Sequence, residues 1–163
     1  MSVTLHTDLG DIKIELEVAK CPKTCENFLA LCASGKYDGC IFHRIIKTFC
    51  CQTGDPTNTG TGGTSIWGRP FKDEIDSTLK HSKRGIVAMA TARPNENQSQ
   101  FYITFAPLPH LNSRATIFGH VIDGMDTLAD IERLKTIDQK SWKPEIAIAI
   151  KYTTIHANPL ADQ

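Results

Sequence analysis

The run FHRIIKTFCCQTGDPTNTGTGGTSIWG, Phe42 to Gly68, sets an arginine (Arg44), an aromatic (Phe49) and a carboxamide (Gln52) at close spacing, then enters a segment rich in Gly and Thr. Phe42 to Gln52 reads as one or two buried strands: it is β-branched and aromatic, bounded by turn residues, and too short for a well-formed helix. Gly54-Asp55-Pro56 ends that unit, and Gly60, Gly62 and Gly63 can take positive φ or let backbone approach a ligand. A rigid strand is thus expected to present Arg44, Phe49 and Gln52 beside a shaped loop.

Outward from this run, Val3–Thr7 and Asp11–Val18 alternate apolar and polar residues around Asp8-Leu9-Gly10, which predicts a β-hairpin. Pro22 suits a first helical turn, and Cys25, Phe28, Leu29 and Cys32 recur at helical spacing before Gly35. Residues 69–84 read as a charged surface excursion with a short helix, anchored by Phe71 and Ile75. Strands are expected over 85–90, 101–104, 117–122 and 146–155, and a second helix capped by Asp123 carries the stripe Met125, Leu128, Ala129 and Ile131. Eight short strands, two helices and no βαβ alternation predict a mainly β fold, a closed eight-stranded antiparallel barrel capped by the two helices, because closure removes exposed edges.

The chain has 163 residues, enough for one compact domain with its own core. We expect that domain over 1–156 and a short tail over 157–163. Eighteen basic and eighteen acidic residues leave no net charge, which argues against nucleic-acid or anionic-membrane partners. No apolar run reaches the roughly 18 residues of a membrane span, and the N-terminus lacks a signal pattern, so a cytoplasmic or nuclear protein is expected. The six cysteines show no zinc-finger spacing and read as reduced thiols; no metal and no cofactor is expected.

F-H-R at 42–44, F-x-x-Q-x-G-D at 49–55 and G-T-G-G-x-S-I-W-G at 60–68, followed by S-Q-F-Y-I-T at 99–104 and T-I-F-G-H-V at 116–121, resemble the signature of the cyclophilin family of peptidyl-prolyl cis/trans isomerases. The likeness runs from about Val3 to His156 in the family's order. The opening V-T-L-H-T-D-x-G-D-I and closing T-I-H-A-N-P are most similar to its cyclophilin J, or cyclophilin-like 3, branch. The resemblance implies a barrel with the active groove on its outer face, acting on X-Pro bonds in proteins, with a role in protein folding or in assembly with spliceosomal proteins. It implies Arg44, Phe49 and Gln52 as catalytic residues, and Cys50, Gly60, Ala90, Thr91, Ala92, Gln100, Tyr102, His110, Leu111 and Ala115 as substrate-binding ones.

The chain departs from the family at four groove positions. Cys50 replaces a methionine, Thr91 an asparagine, His110 a tryptophan and Ala115 a histidine. That tryptophan supports cyclosporin binding in the family, so weak cyclosporin binding and reduced or altered isomerisation are expected. The bland alternative for Arg44 is a surface ion-pair arginine, which the motif disfavours; without the resemblance, Phe49 and Leu111 read rather as plain core residues. The rival function is a proline-peptide binding module, catalytically weak, acting as a scaffold in a nuclear complex. The Gly-rich loop lacks a P-loop's Gly-Lys-Ser/Thr ending. A thiol hydrolase using Cys50 or Cys51 with His43 is disfavoured, because His43 alternates with Arg44 on the strand and reads as a packing residue. A closed barrel without an exposed apolar stripe suggests a monomer.

Overall fold

The structure is a computed structural model and describes residues 1–156; the tail at 157–163 lies outside the described residues. The hairpin pairs β1 (Ser2–Thr7) with β2 (Gly10–Leu16) from Ser2 opposite Glu15 to Thr7 opposite Gly10. Thr7 Oγ1 closes its turn by donating to Gly10 O at 2.6 Å. The helix α1 (Pro22–Ala33) starts at a proline, as expected, and buries Cys25, Phe28, Leu31 and Cys32. Its first N–H groups are satisfied from a distance: the Glu74 carboxylate accepts from Thr24 N at 2.6 Å and Lys23 N at 3.3 Å. Carboxylate oxygens at a helix N-terminus meet both unpaired donors and the positive end of the dipole.

The organising run folds into two strands, β3 (Arg44–Ile46) and β4 (Cys50–Thr53), joined by a tight turn in which Thr48 takes φ 64°. Strands β5 (Ile86–Met89), β6 (Phe101–Thr104), β7 (Ile117–Asp123) and β8 (Ile150–His156) complete one antiparallel sheet in the order β3-β4-β6-β5-β7-β2-β1-β8. A short 3-10 helix, Pro109–Leu111, precedes β7, and α2 (Met125–Glu132) follows it. The core is aromatic at its centre: Phe28 lies 5.1 to 5.4 Å from the rings of Tyr37, Phe101 and Phe118, all buried. All six cysteines are buried and unpaired. Burial pushes Cys21, Cys25, Cys32 and Cys40 up to about 12, which keeps them thiols.

Several expectations need correction. The barrel is not closed: β3 and β8 are the two edges of a curled sheet, and no ladder joins them. The edge chains meet only outside β3, where Gly39 N donates to Ile150 O, Ile150 N to Cys40 O and Phe42 N to Ile148 O, around the single bridge Ile41–Ala149. Three-residue β3 then diverges and donates from Ile45 N to Trp142 O instead. Residues 69–84 form no helix, and Ile75 is 44% exposed, so Phe71 anchors the excursion without it.

The cap of α2 is Gly124 at φ 103°, and Asp123 ends β7 with no capping bond. A side chain at Gly124 would lie 2.9 Å from Ile12 Cα, so close packing on the hairpin chooses glycine there. Of the stripe on α2, Leu128 and Ile131 are buried but Met125 is 40% exposed. The last strand begins at Ile150, four residues later than its pattern suggests. Lys135 to Glu145 fold back on themselves through Ile137 N to Lys143 O and Glu145 N to Lys135 O, leaving Ile146 70% exposed.

Candidate active site

Register places the site. Arg44 pairs with Gln52, Gln52 with Tyr102, and Tyr102 with Ala88, so one row crosses β3, β4, β6 and β5 on the face away from the core. Their neighbours Ile45, Cys51, Phe101 and Val87 point inward. On the outer face Cys50, Ile86, Ala88, Tyr102 and Ile117 form a second apolar cluster, with Phe49, Ala90, Leu111 and Ala115 packed half-buried against it. Cys50 and Tyr102 of this cluster, with Phe49, Ala90, Leu111 and Ala115, line an open groove of about 1140 Å³. Every site residue expected from sequence lines that groove except His110, which stands on its rim on the 3-10 helix, its ring centroid 6.1 Å from that of Phe49.

Arg44 projects from its strand with an exposed side chain that makes no hydrogen bond or ion pair among the described residues. Gln52 Nε2 donates to Gln100 Oε1 at 2.7 Å, and Gln100 Nε2 donates on to Gly60 O and Gly62 O at 3.1 and 3.0 Å. The two glutamines thereby fasten the glycine loop to the strands. Burial pushes the Cys50 thiol up to about 11, against the pull of Arg44, so it enters the groove as a small apolar group and not as a thiolate. Thr91 spends its hydroxyl within its own loop, donating to Arg93 O at 2.6 Å.

The comparisons with known proteins agree with this geometry. Residues 2–153 match the family model described as cyclophilin type peptidyl-prolyl cis-trans isomerase/CLD. The chain belongs to the cyclophilin family of peptidyl-prolyl cis-trans isomerases. Among its relatives, proteins called peptidyl-prolyl cis-trans isomerase-like 3 in Gallus gallus and Homo sapiens are each 59% identical over 161 residues, 99% of both chains. A Caenorhabditis elegans relative called peptidyl-prolyl cis-trans isomerase 10 is 60% identical over 161 residues, again covering 99% of both chains. These cyclophilins agree with the branch that the two chain ends resemble. The structure is similar, with a TM-score of 0.92 and 51% identity, to a crystal structure of a Cryptosporidium parvum cyclophilin in the presence of the dipeptide Ala-Pro, covering 97% of this chain and 100% of that one.

Residues behind the groove escaped the sequence reading. Asp55 is fully buried yet ionised. Its Oδ1 accepts from Thr57 N and Thr57 Oγ1, and its Oδ2 from Gly60 N at 2.7 Å and Gly62 N at 3.0 Å. Burial alone would raise this carboxyl, but these donors outweigh it and hold it down at about 2. An acid just ahead of Thr and Gly amides was the available signal. His43 packs under the same loop, as its alternation with Arg44 predicts: a side chain on Gly60, at φ 88°, would lie 3.3 Å from His43 Cδ2. His81, behind Tyr102, left no local trace, since its partners are 21 and 31 residues away.

Proposed function

We propose that a peptide segment lies along this groove with its proline ring against Phe49, Tyr102 and Leu111, and that Arg44 accelerates rotation about the preceding bond. That rotation breaks amide resonance, a barrier of roughly 18–20 kcal/mol. No covalent bond to the substrate has to form. Twisting restores a lone pair to the proline nitrogen, and a cation that donates to it stabilises the twisted form over either planar form. An arginine stays charged at any working pH, so it acts as a fixed donor. The observation that carries this reading is a guanidinium with no hydrogen-bond or ion-pair partner among the described residues, standing beside an apolar pocket. Gln52, in register with Arg44, holds the loop edge through Gln100 and leaves the arginine free to meet substrate.

The groove supports a weak fit for cyclosporin, since the exposed imidazole of His110 offers less apolar area than the family's indole. A second reading, a proline-peptide receptor with little turnover, is favoured by Thr91, whose hydroxyl is spent internally and which lacks an amide to hold the peptide backbone. Protease-free measurement of cis/trans relaxation of an Ala-Pro peptide, with the protein at micromolar concentration, separates the two. Faster relaxation supports the isomerase, whereas saturable binding at an unchanged relaxation rate favours the receptor.

A further inference from the structure

Tyr102 lines the proline pocket, yet its hydroxyl is engaged outside the groove, 2.7 Å from His81 Nε2, with the two rings parallel to within 8° and centroids 5.9 Å apart. His81 does not line the groove and is 1% exposed. Its other nitrogen, Nδ1, lies 3.1 Å from Asn112 Oδ1, and the same oxygen accepts His81 N at 2.7 Å. An amide oxygen only accepts, so the ring proton sits on Nδ1, Nε2 is bare, and the Tyr102 hydroxyl donates to it. The Tyr102 hydroxyl and both ring nitrogens of His81 have partners, which is what a buried phenol and imidazole require.

Asn112 closes the 3-10 helix, its N–H donating to Pro109 O, and Leu108 N donates to His81 O. His81 therefore ties β6, the pocket floor, to the segment that carries His110 and Leu111, the pocket's rim and wall.

We propose that His81 is the positioning residue of the proline pocket: through the relay Tyr102–His81–Asn112 it fixes the gap between the Tyr102 floor and the Leu111 wall, and so the fit of the substrate's proline. The relay draws the phenol hydroxyl behind the ring and leaves only the ring's apolar surface for the pyrrolidine. A pocket wall touches planar and twisted substrate alike, so its loss appears in KM, whereas loss of the arginine appears in kcat. The proposal rests on reading the groove as the proline site.

The test compares wild type with Tyr102→Phe, His81→Asn, His81→Gln and the double variant Tyr102→Phe/His81→Asn, measuring Kd and the kcat and KM of an Ala-Pro peptide. Asparagine can reach Asn112 but not Tyr102, and glutamine can replace Nε2 as the acceptor for Tyr102. We expect Tyr102→Phe and His81→Asn to raise Kd and KM about five- to tenfold with kcat within twofold, the double variant to be no worse than either single one, and His81→Gln to recover most of the loss. Nitrogen NMR of the wild-type imidazole, which needs no variant to fold, should show the Nδ1–H tautomer near neutral pH. Variants binding within twofold of wild type, additive losses, losses confined to kcat, or an Nε2–H ring would overturn the role of His81 alone. A wild type that neither binds nor isomerises the peptide would overturn the reading of the groove, and the proposal with it.

Discussion

Replacing Asp55 by Asn removes the charge that organises the Gly60–Gly63 loop while changing almost nothing in volume. Holding the buried carboxyl at about 2 against its ordinary 3.8 corresponds to about 2 kcal/mol of stability at neutral pH. The amide does worse than lose that. One of its two atoms becomes an NH2 and faces donors whichever way it turns: Thr57 N and Thr57 Oγ1 on one side, Gly60 N and Gly62 N on the other. Each buried donor left without an acceptor costs about 1–3 kcal/mol, less whatever relaxation recovers. We therefore expect Asp55→Asn to lose about 3 kcal/mol, read as ΔG of urea unfolding, with a Tm about 6–12 °C lower. Because Gly60 O and Gly62 O are the acceptors for Gln100, isomerisation should also fall several-fold in protein that is still folded. A variant within about 0.5 kcal/mol of wild type would refute the argument that Asp55 is ionised and holds this loop.

Other expectations follow from the same geometry. Gly54 sits at φ 93°, where a side chain would come within 2.7 Å of Ser99 O, so Gly54→Ala should cost about 2 kcal/mol or more and lower Tm by about 4–8 °C; an unchanged Tm would contradict it. Burial lowers His43 and His81, so the unfolded chain takes up their protons first. Their stabilisation is complete above about pH 6.5 and declines as pH falls from there through their folded values, while Asp55 keeps its contribution down to about pH 4 and loses it as pH falls from 3.8 through about 2. Urea unfolding at pH 7, 6 and 5 should show the decline, and a flat profile would contradict it. His110→Trp should tighten cyclosporin binding about tenfold by calorimetry, through added aromatic area on the rim near Phe49; unchanged or weaker binding would refute that.

What was legible in the chain was what repeats locally. The period-two pattern of the hairpin, the helical spacing of Cys25, Phe28 and Cys32, and the turn residues after Gln52 each report on neighbours a few positions away, and all three elements formed. The groove lining was legible through motif likeness, with Arg44, Gln52 and Tyr102 drawn into one row by register. Barrel closure was not legible, because it depends on how residues 39–42 meet 148–150 more than a hundred positions later. The α1 cap supplied by Glu74 and the partners of His81 were hidden for the same reason: each is a contact between segments that show no pattern alone. Gly124 as the α2 cap reflects the proximity of Ile12, a packing constraint and not a capping motif.

The account turns on Arg44 as the donor to the twisted amide. NMR exchange on a series of X-Pro peptides varied in X, with wild type and Arg44→Ala side by side, tests this most directly. Exchange catalysed by wild type and reduced at least about a hundredfold by Arg44→Ala, with peptide binding nearly kept, is the result the account predicts; that ratio corresponds to about 3 kcal/mol of transition-state stabilisation. Equal exchange in both proteins, or binding shifts without exchange in either, would contradict it.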